Sequence, residues 1–314
     1  MVRQKGMNSI EVNTLRTKYY IHFVNHIDDL SKFKNQFAVY DKILIITDDN
    51  VEKKYLSIVA DALSAFGPKI FSFVIKNGEP SKNIDNAMKI IDYMATVGFH
   101  RKDTIVALGG GVVGDLAGFV ASIFMRGIDF IQIPTTLLSA VDASIGGKTA
   151  VDIQCGKNLV GTFHQPKLII DIVAILNQNP DELLTEGAGE IIKYGIIYDK
   201  TILTLMNDGL KKNIVEILLK CAKAKADIVS KDEYENGLRK TLNFGHTLAH
   251  SIEKCSGYQI THGVAVAYGM LFALFVAKEI GYCKTNFYVE TTSLINKYFS
   301  LSKLDFPADD LVFY

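Results

Sequence analysis

The chain has 314 residues and an ordinary globular composition, with 48% hydrophobic and 22% charged residues. Lys plus Arg and Asp plus Glu both number 34, and no Lys/Arg-rich block contains interleaved aromatics, so neither a nucleic-acid nor a membrane partner is indicated. The length favours two domains. The four cysteines are widely spaced and Met1–Met7 lacks an apolar signal core, which predicts a cytoplasmic protein.

Short β-branched runs alternate with helical patterns over the first half of the chain. Helical spacing appears at Val51–Phe66 and Asn83–Val97, between runs bounded by Gly, Asn, Asp or Pro. The alternation predicts an α/β domain with a mainly parallel sheet over residues 1–175. The predicted strands are Tyr20–Val24, Lys42–Thr47, Ile70–Ile75, Thr104–Leu108, Phe130–Ile133 and Leu168–Ile172.

Strand signals stop after about Ile175, and the rest of the chain has helical spacing. Residues 176–314 are therefore predicted to form an all-α domain. The predicted helices are Asp181–Tyr198, Lys212–Lys231, Thr247–Ser256 and Val264–Ile280.

A glycine-rich turn follows the predicted strand Thr104–Leu108. The segment Gly109–Gly118 contains G-x-G-x-x-G and enters an apolar helix, and such a helix N-terminus suits a pyrophosphate. About a hundred residues of α/β pattern precede it, unlike the standard dinucleotide fingerprint. The turn therefore predicts either a nucleotide site or tight helix–sheet packing.

Cations beside glycines follow this turn. Arg126, Lys148 and Lys157 each adjoin a glycine, and loop lysines near such backbone suit an anionic ligand. Gly147-Lys148-Thr149 is similar to the end of a P-loop, but Asp142 stands where that motif needs its first glycine, which excludes the NTPase reading.

Three of the seven histidines lie close together in the second half. His246 and His250 are four residues apart, so a helix places both on one face, and His262 opens the next apolar helix. A catalytic zinc often takes two histidines and a carboxylate. Spacing alone pairs His246 with His250, and the alternative is helix-end histidines bonded to backbone.

Glu190 and Lys193 lie three apart on a predicted helix. They form either an exposed intrahelical ion pair or a metal ligand beside a substrate-binding lysine. The small residues Gly187, Ala188, Gly189 and Gly195 favour the second interpretation by leaving room beside the helix. Lys225, considered alone, is typical of a solvated helix face.

Taken in order, these segments closely resemble the 3-dehydroquinate synthase family from about Lys42 to Gly269. Two smaller motifs, Phe163–Pro166 and His262-Gly263, belong to the same series. The other motifs that carry the resemblance are Gly109–Asp115, Pro134–Thr136, Asp142–Thr149, Gly156–Asn158, Glu190–Gly195 and Leu238–His250.

The resemblance implies a homodimer with an N-terminal Rossmann-like NAD-binding domain and a C-terminal helical domain that binds metal and substrate. The metal would be zinc, with cobalt as the alternative. The family converts 3-deoxy-D-arabino-heptulosonate 7-phosphate, a phosphorylated keto acid, into 3-dehydroquinate and phosphate. NAD oxidises a ring hydroxyl, phosphate is eliminated, the hydride returns, and an aldol closure completes the ring.

Carried over residue by residue, the resemblance implies Glu190, His246 and His262 as metal ligands. The residues around the substrate would be Asp142, Asn158, Lys193, Lys225, Arg239, Asn243 and His250, with Arg126 reaching across the dimer. The residues contacting NAD would be Asp48, Asn50, Glu79, Lys82, Gly110, Gly111, Val112, Val113, Gly114, Asp115, Thr135, Thr136, Lys148, Lys157 and the turn Ile175, Leu176, Asn177, Gln178.

Two departures from the family pattern bear on activity. The family has Pro-x-Arg-Glu where this chain has Pro180–Leu183. Members of the family also continue beyond the position of Tyr314 with an Asp-Lys-Lys segment that contacts substrate. We therefore expect a folded, cofactor-competent chain with weak turnover, and a truncated paralogue without turnover stays an alternative.

Two related enzyme classes are also open. Cyclases that make inososes or valiolones share the scaffold, although Asn243 and His250 favour the dehydroquinate synthases. Metal-dependent alcohol dehydrogenases share the glycine-rich turn and would release NADH.

Overall fold

The computed structural model describes residues 8–304 and 306. The chain forms two compact units, one ending at Gln178 and the other beginning at Asn179. The predicted domain boundary lies at residue 175. The expectations about Met1–Met7 and about the chain end at Tyr314 lie outside the described residues.

The first unit is built on a seven-stranded sheet with the order β1-β2-β9-β6-β5-β3-β4. Only β1 and β2 pair antiparallel within this sheet, and its other neighbours are parallel, as the α/β pattern predicts. Its strands are β1 (Asn8–Asn13), β2 (Lys18–Val24), β3 (Lys42–Asp48), β4 (Lys69–Ile75), β5 (Thr104–Gly109), β6 (Asp129–Pro134) and β9 (Leu168–Ile172).

Helices cover both faces of this sheet. The central strands β3 and β5 are almost wholly buried, as parallel strands covered on both faces must be. The helices are α1 (Lys34–Phe37), α2 (Asp49–Val51), α3 (Ser57–Ser64), α4 (Ile84–Thr96), α5 (Gly111–Ile123) and α6 (Val173–Asn177), with π-helical turns at Glu52–Leu56 and Ser139–Ala143 and 3₁₀ turns at Ile27–Phe33, Glu79–Ser81 and Phe124–Arg126.

The six predicted strands are present, but the interpretation of the glycine and lysine segments as loops was wrong. They form a separate antiparallel hairpin of β7 (Lys148–Ile153) and β8 (Gly156–Phe163). The predicted turn at Ile175–Gln178 is mostly the short helix α6. None of the residues of β8 is buried, so it lacks the alternation of buried and exposed residues by which strands are recognised.

The second unit is helical in every element of its described part. All four predicted helices are present within two residues of their predicted ends, and α8 and α12 were not predicted. The helices are α7 (Asp181–Ile197), α8 (Thr201–Asp208), α9 (Ile214–Lys231), α10 (His246–Cys255), α11 (His262–Glu279) and α12 (Thr285–Tyr298), with a 3₁₀ turn at Leu238–Asn243.

Helix α11 is the one described helix that is long and apolar enough to cross a membrane. Core helices of soluble proteins share that composition. Here α11 packs against α7, α10 and α12 and buries seven of its residues. Its apolar character is thus accounted for in part by packing within the unit.

Candidate active site

Three helices of the second unit bring one carboxylate and two imidazoles together. Glu190 lies in the middle of α7, whereas His246 and His262 are the first residues of α10 and α11. The Nε2 atom of His246 lies 3.3 Å from Oε1 of Glu190, and Nε2 of His262 lies 3.4 Å from the same oxygen. One ligand atom from each residue therefore lies within 4.8 Å of the others.

The spacing of these atoms suits a small divalent cation. Zinc holds histidine nitrogens and carboxylate oxygens at about 2.0–2.2 Å, so tetrahedral ligand atoms lie about 3.3 Å apart. Oε1 of Glu190 is buried and has no hydrogen-bond partner among the described residues, although a buried carboxylate oxygen requires one. A metal ion at the centre of the three ligand atoms would satisfy it.

The second nitrogen of each imidazole faces an acceptor. Nδ1 of His262 lies 3.6 Å from Oε1 of Glu253, and Nδ1 of His246 lies 3.2 Å from the carbonyl oxygen of Phe244. Metal-binding histidines commonly donate their other N–H to such groups, which fixes the ring orientation. His250 lies beside His246, with ring centroids 5.6 Å apart, but does not belong to the converging set.

Charges around the site favour a carboxylate and a bound cation. Burial acts to raise the pKa of Glu190, but Lys193 and the two imidazoles outweigh it and hold that pKa well below its ordinary value. Burial likewise opposes protonation of His262, yet the carboxylates of Glu190 and Glu253 raise its pKa to about 10. The site therefore attracts either a proton or a metal ion.

Glycines allow these helices to approach closely. A Cβ atom on Gly189 would lie 3.1 Å from the carbonyl oxygen of Gly263, and one on Gly263 would lie 2.7 Å from that of Glu186. A Cβ on Gly195 would lie 2.4 Å from the side chain of Leu203. The expectation that Gly189 and Gly195 leave room beside the helix was wrong, because neighbouring helices fill the space.

Three cations in this unit are buried. Lys193, Lys225 and Arg239 are only 2%, 6% and 1% exposed. Lys193 ion-pairs with Glu190, and Arg239 donates to the carbonyl oxygen of Glu233. The alternative readings of an exposed Glu190–Lys193 pair and a solvated Lys225 are therefore wrong.

The other residues assigned to the substrate in this unit lie nearer the surface. Asn243 and His250 are exposed, and Nδ2 of Asn243 donates to Oε1 of Glu235 at 3.1 Å. Asn243 and Glu235, but not His250, line a cavity of about 610 Å³, which none of the three converging residues lines. The cavity thus includes Asn243 but is separate from the three converging residues. Its lining is Ile197, Glu235, Lys240, Thr241, Asn243, Phe244 and Thr247.

In the first unit, the residues assigned to NAD follow the ends of neighbouring strands. Parallel strands β9, β6, β5, β3 and β4 are adjacent in the sheet, so their carboxyl ends lie along one edge, where open α/β sheets bind ligands. The segments that follow these ends are Ile175–Gln178 after β9, Thr135-Thr136 after β6, Gly110–Asp115 after β5, Asp48–Asn50 at the end of β3, and Glu79–Lys82 after β4.

The glycine-rich turn packs closely against its surroundings, as one of the two interpretations made for it requires. A Cβ on Gly114 would lie 2.6 Å from Oε1 of Gln132, and one on Gly118 would lie 2.4 Å from the side chain of Thr149, so both are required by packing. Gly110 begins α5 without a side-chain cap. The first N–H groups of α5 therefore have no intrahelical acceptor.

Lys82 joins several residues assigned to NAD. Its Nζ lies 2.7 Å from Glu79, 3.4 Å from Asp115, 3.8 Å from Asp152 and 2.8 Å from Oδ1 of Asn158. Burial acts to lower the pKa of Lys82, but the carboxylates of Asp115 and Glu79 outweigh it and raise that pKa. We call these five residues the Lys82 cluster.

Oxygen acceptors of this kind suit sugar hydroxyls. Lys157 adjoins the Lys82 cluster, with its Nζ 4.0 Å from Glu79. Asn158, assigned to the substrate from the resemblance, lies here among residues assigned to NAD.

The remaining assigned residues of the first unit have varied surroundings. Oδ1 of Asp48 accepts the N–H groups of Asn50 and Val51 and so caps α2. Lys148 and Arg126 are exposed, and Asp142 is half-buried in a π-helical turn.

Three residues were not identified from the sequence. Glu253 faces His262, Glu186 accepts the N–H of Gly263 at 2.9 Å, and Asp152 belongs to the Lys82 cluster. Glu253 follows His246 by seven residues, a helical spacing that places both on one face and could have revealed it. No local pattern identifies the other two.

Both halves of the chain match family models. Residues 72–186 match the model described as 3-dehydroquinate synthase N-terminal, and residues 187–311 match 3-dehydroquinate synthase C-terminal. A curated 3-dehydroquinate synthase from Alkaliphilus metalliredigens is 42% identical over 299 residues, which cover 93% of this chain and 83% of the relative.

Solved structures show the same architecture. A 2-deoxy-scyllo-inosose synthase complexed with carbaglucose-6-phosphate, NAD+ and Co2+ aligns with a TM-score of 0.89 at 25% identity, covering 97% of this chain and 87% of that one. A 2-epi-5-epi-valiolone synthase from Streptomyces hygroscopicus with NAD+ and Zn2+ bound aligns with a TM-score of 0.86 at 23% identity, covering 94% and 84%.

Proposed function

Because the chain belongs to the 3-dehydroquinate synthase family, we propose that Glu190, His246 and His262 hold its divalent metal. The chain is an NAD- and metal-dependent enzyme that converts 3-deoxy-D-arabino-heptulosonate 7-phosphate into 3-dehydroquinate and phosphate. The observation that carries the site assignment is the convergence of one carboxylate and two imidazoles from α7, α10 and α11 on one point.

The groups that the site would bind supply chemistry that side chains lack. NAD would accept a hydride from the carbon that bears the reacting hydroxyl and later return it, and the divalent metal would polarise that hydroxyl so that its proton can leave. The ammonium group of Lys193 pairs with Glu190 and therefore lies next to the proposed metal and the hydroxyl bound to it. It therefore donates a hydrogen bond to the substrate and stabilises negative charge there.

Buried charge in the second unit favours an anionic substrate. Among its described residues, the buried cations Lys193, Lys225 and Arg239 outnumber the buried carboxylates Glu190 and Glu233 by three to two, leaving a net charge of +1 before any metal is bound. A net positive charge in the interior favours a ligand that carries negative charge. The carboxylate and phosphate of the proposed substrate carry that charge.

NAD is assigned to the carboxyl edge of the sheet in the first unit. The N-terminus of α5 would take its pyrophosphate, because the N–H groups of Gly111, Val112 and Val113 point out of the helix start. Glu79, Asp115 and Asn158 of the Lys82 cluster supply carboxylate and amide oxygens for sugar hydroxyls.

The finer points of the assignment are also proposals. We propose zinc as the metal, a homodimer in which the exposed Arg126 reaches the partner subunit, and a cytoplasmic location without nucleic-acid or membrane partners. The zero net charge and the widely spaced cysteines support the last point.

The test is incubation of the purified chain with the heptulosonate phosphate, zinc and NAD. The amount of NAD is one tenth of the amount of substrate. We expect phosphate release and dehydroquinate formation to exceed the NAD supplied, without accumulating NADH absorbance. Stoichiometric NADH would instead identify a dehydrogenase, and turnover of a hexose 6-phosphate in its place would identify a different sugar-phosphate cyclase.

A matched pair of variants ties this activity to the site. Glu190→Gln keeps the size of the ligand and removes its charge, so we expect loss of both metal and turnover. Glu216→Gln changes an exposed carboxylate of α9 and should leave both unchanged. Equal metal content in the two variants would remove Glu190 from the ligand set.

A further inference from the structure

The hairpin β7–β8 has an irregular register at its outer end. Val151 pairs with Val160, and the next pair along the hairpin is Ile153 with Gly156. One residue of β7, Asp152, is therefore opposed by the three residues Lys157–Leu159 of β8. We call these three residues the β8 bulge.

Asp152 holds the β8 bulge through its side chain. Asn158 has φ = 58°, in the left-handed region, which asparagine adopts at less cost than most residues. Its N–H donates to Oδ1 of Asp152 at 2.8 Å. Because the outer strand pair is interrupted here, this bond replaces the ladder bond that a regular hairpin would provide.

Asp152 is itself attached to the segment that carries Lys82. Its backbone N–H donates to the carbonyl oxygen of Lys82 at 2.7 Å, and it forms a parallel bridge with Asn83. The same residue thus contacts the Lys82 segment with its backbone and the β8 bulge with its carboxylate.

The bulge determines where two side chains point. In a regular strand, successive side chains lie on opposite faces, yet Lys157 and Asn158 both reach the Lys82 cluster. Nζ of Lys157 lies 4.0 Å from Glu79, and Oδ1 of Asn158 accepts from Lys82 at 2.8 Å. Without the bulge, one of the two would point away.

We propose that Asp152 is a positioning residue for NAD binding, which acts by holding the β8 bulge so that Lys157 and Asn158 face the coenzyme together. The inference rests on the proposed function, because it takes the Lys82 cluster as part of the NAD site. Asp152 acts through its neighbours and need not touch NAD.

Three substitutions separate geometry from charge. Asp152→Asn keeps the Oδ1 acceptor and removes the charge, Asp152→Glu keeps the charge and moves the acceptor by one methylene, and Asp152→Ala removes both. Calorimetric titration with NAD gives the Kd, and zinc content and the unfolding midpoint of each variant report on the rest of the fold.

We expect Asp152→Asn to stay within about threefold of the wild-type Kd, and Asp152→Glu and Asp152→Ala to weaken NAD binding about tenfold or more, with zinc content unchanged. Two results would overturn this inference and leave the proposed function standing. One is wild-type affinity for NAD in Asp152→Ala, and the other is weakened NAD binding in Asp152→Asn without weakening in Asp152→Glu. Absence of NAD binding by the wild-type chain would instead overturn the proposed function and this inference with it.

Discussion

Metal binding should release a proton, and its pH dependence tests the charge arrangement around the three ligands. The pKa of His262 is raised to about 10 by Glu190 and Glu253, against the effect of burial. The folded-state pKa thus lies above the ordinary value of about 6.5. His262 is therefore protonated at neutral pH, and a metal ion must displace that proton.

The size of the effect follows from this pKa. Well below pH 10, each unit of pH costs about tenfold in apparent metal affinity for one displaced proton. Between pH 8 and pH 7 we therefore expect zinc binding to weaken about tenfold. A histidine with the ordinary pKa of about 6.5 would change the affinity only about 1.3-fold over the same interval.

Isothermal titration with zinc at pH 7.5, in two buffers of different ionisation enthalpy that do not bind zinc, counts the protons released. We expect close to one proton per zinc, compared with about 0.1 for a histidine of ordinary pKa. Glu253→Gln is the matched control, because it removes one of the two carboxylates that raise the pKa. In this variant, the pH at which zinc affinity stops rising should move downward.

A result of about 0.1 proton per zinc in the wild-type chain, with less than a twofold affinity change between pH 7 and 8, would refute this account of His262. It would mean that Glu190 and Glu253 do not hold the imidazole protonated.

Four further changes have expected outcomes. His262→Ala should lose bound zinc, measured by elemental analysis, while the unfolding midpoint of the metal-free chain moves by less than about 4 °C; full zinc content would exclude His262 as a ligand. Gly263→Ala should destabilise the fold by about 1–3 kcal/mol in urea titrations and weaken zinc binding, because its Cβ would meet the backbone of Glu186; wild-type values for both would contradict this packing. Asp103→Ala should cost about 1–3 kcal/mol of unfolding free energy, since the buried carboxylate accepts two backbone N–H groups, with Asp103→Asn losing less. Thr291→Val should be neutral or stabilising by about 1 kcal/mol, because the buried hydroxyl has no partner among the described residues; a clear loss of stability would reveal a partner for it.

Local patterns were sufficient for most of the architecture. The strands from β2 to β6 could be predicted because β-branched residues are concentrated in short runs between turn residues. The start of α11 at His262 also agrees with its sequence pattern. The hairpin β7–β8 was not predicted, because β8 contains two glycines and none of its residues is buried.

The site shows the limit of local reasoning more clearly. Sequence spacing brings His246 and His250 together because four residues make about one helical turn. Sequence spacing contains no information on residues that are far apart in the chain and come together only in the folded structure. Glu190 precedes His246 by 56 positions, and only the packing of α7 against α11 and of α10 against α11 makes their ligand atoms converge. The resemblance to a family supplied this ligand set, which spacing alone did not.

The sequence by itself therefore determined the α/β and helical halves, the glycine-rich turn and the residue types that the chemistry needs, because each depends on neighbours within a few positions. Only the tertiary structure decided that Lys225 is buried, that Gly189 packs against α11, and that Asp152 holds the β8 bulge. Each of these depends on contacts between segments distant in the chain or on an irregular strand register. Hydrophobic periodicity along the sequence gives no information on either.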